Sequence, residues 1–317
     1  MDKKVKQLID KIAAADRIVI ITHHNPDGDA IGTSLAMAEL IRAHFGKLPP
    51  CIHSGTLPSN LNWLPNRAEW FKSTDTIADD FIPDLAIMID TSGGNTGAES
   101  MAIFNRARDS VKIDHHQISP DIANLNFHKI VNSTAQVLLE IAKDAGWKIS
   151  PLAATYLYTA ISTDTGRFAW ADDSSAFTAA AECIDLGANA REIDEAINVS
   201  NRDNIVENAK IIINAEFLYD GKLAISLVPF ADYQKLDGKG GHAMDWLREI
   251  DTVEYVAILK ESEPGIVHAS LRSRRLPVHT IAASLGGGGH VNAAAARLET
   301  DLDTAKEMIL AAFKEVL

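Results

Sequence analysis

The chain holds only two cysteines, Cys51 and Cys183, far apart and without CxxC spacing. That argues against a disulfide framework or a thiolate zinc site and fits a reducing compartment. Long apolar runs are missing as well. No stretch reaches transmembrane length. The opening segment MDKKVKQLIDKIAAADR is an amphipathic helix pattern, apolar at Val5, Leu8, Ile9 and Ile12, without the continuous core of a signal peptide. A cytoplasmic location is the expectation. Aromatic residues make up 6% of the chain, so a base-stacking platform would rest on very few side chains. Basic charge is scarce too: 30 Lys and Arg stand against 43 Asp and Glu, a net charge of −13. Binders of long nucleic acid carry a basic footprint, so none is expected here. An anionic substrate would need a local reversal of sign, by metal ions or by a confined Arg/Lys cluster.

What is present is an ordinary globular composition, 46% hydrophobic and 23% charged, over 317 residues. That length suggests two domains. Residues 17–22 (RIVIIT) and 85–90 (LAIMID) are short, continuously apolar runs, as in strands buried on both faces. Residues 111–114 give a third candidate strand and 51–53 a weaker fourth. Helical patterns lie between them over 30–44 and from Ser133, where Gln136 completes a capping box ahead of 137–143. Such alternation implies a parallel α/β sheet. The pattern changes near Gly187. Residues 190–216 read as a polar helical linker between a domain at 1–189 and another at 217–317. The second domain, with strands at 222–229, 253–260 and 266–272 and helices at 278–285 and 302–317, reads as a smaller α+β unit. The active site is expected in the cleft between the two.

In an open parallel sheet, functional groups collect past the carboxyl ends of the strands. Three clusters fall there. His23, Asp27 and Asp29 follow the first strand, Asp90 ends the LAIMID run, and Asp114, His115 and His116 end the third strand. Asp164, in ISTDTGRF, follows the helical pattern of 151–161. Any one cluster could be a helix cap or turn, as the NPDG stretch at 25–28 would be. Taken together they cannot be so simple. Four carboxylates converging within a few ångströms would raise one another's pKa and destabilise the fold unless cations neutralised them. Carboxylates mixed with imidazoles suit Mn²⁺ or Mg²⁺, with the imidazoles favouring manganese. Asp27, Asp29, Asp90 and Asp164, all ionised, balance two divalent ions.

The motifs HHNPDGDAIG at 23–32, DTS at 90–92, DHH at 114–116, STDTGRF at 162–168 and GGGGH at 286–290 run in this order along nearly the whole chain. In that set the chain resembles the DHH phosphoesterase family with its C-terminal associated domain, in the nano-RNase and phosphoadenosine-phosphate phosphatase branch. The resemblance implies that His23 and Asp27 ligate one ion, Asp29 and His115 the other, and that Asp90 and Asp164 bridge or serve both. Asp114 would orient an imidazole, and His116 would contact phosphate or protonate the leaving group. His24 is expected to be structural.

In the second domain, Arg272, Arg274 and Arg275 form the densest basic cluster, with Arg272 and Arg274 on one face of a strand. Residues 286–289 can be a flexible spacer or a tight turn that points successive N–H groups at an anion. By resemblance, Arg272 and His290 would hold a terminal phosphate or nucleotide; the N–H groups of Gly287, Gly288 and Gly289 are expected to join them, with Lys239, Gly240, Gly241 and His242 as a further loop contact. Two departures bear on substrate preference: alanines at 293–296 where the family often has glycine, and SGGNTG after the DTS-type motif where an arginine often follows. The expected activity is Mn²⁺-dependent hydrolysis of very short oligonucleotides, extending to adenosine 3′,5′-bisphosphate, by a hydroxide shared between two ions. A linear or cyclic dinucleotide phosphodiesterase, a polyphosphatase or pyrophosphatase, and a non-catalytic nucleotide sensor are the alternatives. No membrane partner is expected, and a homodimer is compatible with the sequence.

Overall fold

The apolar runs at the start of the chain become the centre of a six-stranded sheet in which every pairing is parallel. A computed structural model describes residues 1–171, 173–236, 241–314 and 316, and of His290 the backbone alone. The first sheet comprises β1 (Ile18–Ile21), β2 (Cys51–His53), β3 (Phe71–Ser73), β4 (Leu85–Ile89), β5 (Asp109–Asp114) and β6 (Leu125–His128). Their order is β3-β2-β1-β4-β5-β6. All residues of β1 and β4 are buried, because helices cover both faces. The helices of this unit are α1 (Lys3–Ala14), α2 (Gly28–Phe45), α3 (Arg67–Trp70), α4 (Ala98–Arg106), α5 (Thr134–Asp144), α6 (Pro151–Asp164), α7 (Ser175–Asp185) and α8 (Ala190–Asn198). The order of connection reverses between β1 and β4, which makes the crevice beyond their carboxyl ends the natural place for a ligand.

Two of these helices position the site. Helix α2 is buried along residues 28–41, so it has almost no polar face. It lies against α6, and the approach is close because Gly28 and Gly32 are one turn apart on the same side. A Cβ on Gly32 would stand 2.6 Å from the Tyr156 carbonyl oxygen, and one on Gly28 would collide with Thr163. The start of α2 therefore meets the end of α6, where Asp164 is the last residue. Helix α6 runs three residues past the 151–161 pattern read from the sequence.

The chain divides into two compact units, Met1–Val199 and Ser200–Leu317. The expected helical linker is split by that division, with α8 in the first unit and α9 (Arg202–Ile213) in the second. The second unit is a mixed sheet of β7 (Glu216–Leu218), β8 (Leu223–Val228), β9 (Tyr255–Glu263), β10 (Ile266–Ser273), β11 (Gly288–His290) and β12 (Ala293–Leu298), ordered β11-β12-β10-β9-β8-β7. Within this second sheet only the β8–β9 pair is parallel among the described strands. The remaining helices are α10 (Phe230–Tyr233), α11 (Gly241–Glu249), α12 (His279–Ser284) and α13 (Leu302–Lys314). One apolar core joins α12 and α13 to the sheet through Ile281, Ile309 and Phe313. A second joins α9 and α11 through Ile211, Met244 and Leu247. Among the described residues no helix is long and apolar enough to cross a membrane.

Candidate metal centre

The crevice past β1 and β4 collects the acidic and imidazole residues. Asp27 caps the N-terminus of α2, its Oδ1 accepting from the N–H groups of Asp29 and Ala30 at 3.1 Å each. Its carboxylate remains 60% exposed and lies 3.8 Å from His23 Nε2. Asp29, further into the helix, is almost wholly buried. Its Oδ1 accepts from Thr33 Oγ1 (2.9 Å) and the Ala135 N–H (3.1 Å), and its Oδ2 from the Thr134 N–H (2.6 Å).

Those last two bonds correct the capping box read at Ser133–Gln136. Ser133 makes no side-chain cap, and the Gln136 amide turns instead to Ser175 Oγ at 2.9 Å. The orphan donors at the start of α5 are satisfied by Asp29, more than a hundred residues away. A carboxylate is the stronger acceptor for these N–H groups and sits at the positive end of the helix dipole. Thr134, which no sequence motif marks as functional, ties in a further ligand candidate: its Oγ1 donates to Asp90 Oδ1 at 2.8 Å. The only sequence signal for it is its place at a helix start.

Asp90 follows β4 with φ +56°, a left-handed conformation that Asp tolerates better than most residues. Its N–H still donates to the Ile113 carbonyl at 3.0 Å, so the turn is held in place while the carboxylate leaves the strand direction. Asp90 Oδ1 lies 3.4 Å from His115 Nε2 and 3.9 Å from His116 Nδ1, and its Oδ2 lies 3.8 Å from His23 Nε2. His115 Nε2 also stands 3.5 Å from Asp164 Oδ2 and 3.9 Å from Asp29 Oδ2. The His115 Nδ1 is 2.9 Å from the Val131 carbonyl oxygen. A carbonyl can only accept, so Nδ1 carries the proton and Nε2 presents its lone pair to the carboxylates.

The residues thus gather into three overlapping triplets with donor atoms within 4.8 Å: His23, Asp27 and Asp90; Asp29, His115 and Asp164; and Asp90, His115 and His116. Asp90 belongs to two of them and Asp164 to one. Burial, then the charges of Asp29, Asp27 and Asp164, push the Asp90 carboxyl well above its ordinary pKa. Burial and the charges of Asp29 and Asp27 do the same to Asp164, and burial raises Asp29. Desolvation would raise Asp27 as well, but the His23 ring and the Ala30 N–H outweigh it and bring it down to about 2. Carboxylates crowded and desolvated in this way are at odds with their own ionisation. Divalent cations resolve the conflict, and the oxygen and imidazole donors present fit them.

Asp114 stands behind this cluster, fully buried. Its Oδ1 accepts from His116 Nδ1 (2.6 Å) and from the His115 N–H (2.9 Å). Burial would raise its pKa, but the hydrogen bonds from His116 and Ser119 hold it well below the usual carboxylate range. The same partnership raises His116 above its ordinary value, against the opposite effect of burial. His24 points elsewhere, its Nδ1 3.0 Å from Ser54 Oγ.

In the second unit Arg272 is half-buried on β10, beside Arg248 and Asp245 of α11, and donates to the Leu271 carbonyl at 3.0 Å. Arg274 departs from the phosphate-cluster reading. Its guanidinium donates to the carbonyls of Arg248 (2.7 Å), Ile250 (2.9 Å) and Asp251 (3.1 Å), closing the end of α11. The glycine run also differs from a turn aimed at one anion. The Gly286 and Gly287 N–H groups donate to the Ala283 and Ala282 carbonyls at 3.1 and 2.8 Å, and residues 288–290 pair with β12. A Cβ on Gly287 would come 2.7 Å from Ala296 Cα and one on Gly289 2.6 Å from Ala294 Cα, whereas Gly288 faces open space. Gly241 and His242 open α11, while Lys239, Gly240 and the side chain of His290 lie outside the described residues.

Known proteins bear on this arrangement. Residues 17–161 match the DHH family, N-terminal domain, and residues 220–317 match the DHHA1 domain. The chain is 28% identical over 294 residues to a probable bifunctional oligoribonuclease and PAP phosphatase NrnA of Streptococcus mutans, covering 90% of each chain. It is 28% identical over 306 residues to the bifunctional oligoribonuclease and PAP phosphatase NrnA of Thermus thermophilus, covering 95% of this chain and 90% of that one. A cyclic-di-AMP phosphodiesterase, PdeA, of Listeria monocytogenes is 23% identical over 95% of this chain, which spans 48% of that protein. The crystal structure of an exopolyphosphatase-related protein from Bacteroides fragilis shares the fold, with TM-score 0.90, 21% identity, and 99% and 98% of the two chains covered. With its N-terminal domain carrying the acidic and imidazole cluster and its C-terminal domain matching DHHA1, the chain belongs to the DHH family.

Proposed function

We propose that this chain is a manganese-dependent phosphoesterase that hydrolyses very short oligonucleotides and removes the 3′-phosphate of adenosine 3′,5′-bisphosphate. The observation that carries the reading is the buried Asp90 carboxylate, which belongs to the His23, Asp27 and Asp90 triplet and whose Oδ1 stands 3.4 Å from Nε2 of His115 in the Asp29, His115 and Asp164 triplet. Its substrate class draws support from relatives named as oligoribonucleases and PAP phosphatases that align over nine-tenths of their length.

In this reading His23, Asp27 and Asp90 hold one ion, Asp29, His115 and Asp164 hold the other, and Asp90 serves both. When bound, two such ions supply an activated water and neutralise charge on the phosphoryl oxygens. The chain's own residues do the rest. Thr134 and the first turn of α5 fix Asp29 and Asp90, so the donors are preorganised. His116 keeps Nδ1–H on Asp114, which assigns any proton exchange with the departing oxygen to Nε2. Arg272, Gly288 and His290 hold the terminal phosphate or nucleotide, which selects short substrates without an extended basic groove.

A second reading, a phosphodiesterase of linear or cyclic dinucleotides, is favoured by the Listeria relative. A panel of diribonucleotides, longer RNA, adenosine 3′,5′-bisphosphate, cyclic di-AMP and pyrophosphate, run with Mn²⁺ and with Mg²⁺, separates them. The proposal expects fastest turnover of diribonucleotides with Mn²⁺. Preferred cleavage of the cyclic dinucleotide selects the second reading, and no turnover of any substrate by metal-loaded protein rejects both.

A further inference from the structure

Lys112 sits in the middle of β5 with its side chain fully buried. A strand interior takes valine or isoleucine there at no electrostatic cost, whereas an ammonium must be compensated for its lost hydration. The compensation is specific. Lys112 Nζ donates to Ser119 Oγ and to the Pro120 carbonyl, both at 2.7 Å, and stands 3.6 Å from Asp114 Oδ2. Among the described residues Asp114 is the one carboxylate within 4.0 Å of it.

An ammonium can only donate, so Ser119 Oγ must accept from Lys112. The hydroxyl has a single proton, and the hydrogen bond from Ser119 Oγ to Asp114 Oδ2 is where that proton goes. Asp114 Oδ1 in turn receives Nδ1–H of His116. The main chain follows the same path, since His128 Nε2 donates to the His116 carbonyl at 2.7 Å, closing the far side of the 115–120 loop. The links run in one direction, from a buried cation through a hydroxyl and a carboxylate to an imidazole beside the metal donors.

We propose that Lys112 and Ser119 are positioning residues for the phosphoester reaction, holding Asp114 so that it fixes the ring and tautomer of His116. This rests on the phosphoesterase reading, with His116 protonating the leaving oxygen. Without Lys112, Ser119 could rotate its proton away from Asp114. Without Ser119, Asp114 Oδ2 would lose its neutral donor, and the carboxylate could turn.

The test uses the full chain, loaded with Mg²⁺ for the spectra and with Mn²⁺ for turnover, comparing wild type with Ser119→Ala, Ser119→Thr and Lys112→Met. Long-range ¹H–¹⁵N spectra of the His116 ring, assigned through His116→Gln, read the positioning directly. Turnover is measured on a diribonucleotide and on the p-nitrophenyl ester of a mononucleotide, whose leaving group needs no proton. Expected for Ser119→Ala and Lys112→Met are a mixed-tautomer ring and a kcat on the dinucleotide about tenfold lower, the size seen when a supporting partner is lost. KM, metal content and turnover of the p-nitrophenyl ester should stay within about twofold. Ser119→Thr should restore both signals. Unchanged ring spectra in both variants, or equal losses on both substrates with a lowered melting temperature, overturn the proposal. A wild type that cleaves neither substrate rejects the phosphoesterase reading, and the ring spectra then still decide whether Lys112 and Ser119 position His116.

Discussion

At the scale of single residues, the centre is organised by what Asp90 shares and what Asp114 supports. Asp90→Asn keeps the shape but removes the anion proposed to serve both ions. Turnover should fall by at least about a hundredfold, because the loss reaches both ions rather than one supporting contact. Titration of Mn²⁺ by calorimetry should show both sites weakened; two ions bound with wild-type affinity would refute the shared role. Arg272→Ala addresses the other unit. It should raise KM for nucleotide substrates several-fold, leaving metal content and the hydrolysis of a phosphoester without a base unchanged. An equal loss on the base-free ester would contradict a reading role for Arg272. His23, Asp27, Asp29, Asp90, His115, His116 and Asp164, all named from the sequence, do gather in overlapping groups, but their helpers were not legible. Thr134, Thr33 and Ser119 are ordinary hydroxyl residues in sequence, and only contacts made across the fold reveal what they touch.

At the scale of elements, α2 and α6 set the spacing of the donors. Gly32→Ala would place a methyl group 2.6 Å from the Tyr156 carbonyl and force the helices apart. Overpacking of this kind costs about 1–3 kcal/mol. Because Asp27 and Asp29 ride on α2 and Asp164 on α6, Mn²⁺ affinity should fall with it. Thermal unfolding with and without metal checks both effects, and a variant with wild-type metal affinity would show that the helix spacing does not set the site. The buried strands were readable because continuous apolar runs have few other uses. The short β3 and β6 carry no such run and are not legible in the sequence. The capping box failed for a different reason: a local pattern competed with a distant carboxylate that accepts more strongly, and the tertiary partner won.

At the scale of the whole molecule, the folded chain stores electrostatic conflict that metal should relieve. Asp29, Asp90 and Asp164 have folded-state pKa values above the unfolded ones, so above about pH 4 the metal-free native state binds more protons than the unfolded chain. Stability must then decline as pH rises through that window. His116, also raised, adds a contribution that is present below its unfolded pKa and lost as pH climbs through the folded one. Asp27 works in the opposite direction but only at acid pH, where its folded value of about 2 lies below the unfolded one. Metal-free protein should therefore melt at a lower temperature at pH 8 than at pH 5, and saturating Mn²⁺ should remove or reverse that slope. Calorimetric melting across this range decides it; a metal-free melting temperature that rises with pH would mean the carboxylates are not in conflict. The sequence by itself determined the kind of chemistry, because carboxylates and imidazoles without thiolates, placed after apolar strands, form a donor set suited to hard divalent cations. The tertiary structure decided the rest. It decided which carboxylate stands between His23 and His115, through the left-handed turn at Asp90, and how close the donors come, through Gly28 and Gly32. It also decided which arginine caps a helix, because distances, desolvation and the competition for hydrogen-bond donors exist only once the chain has folded.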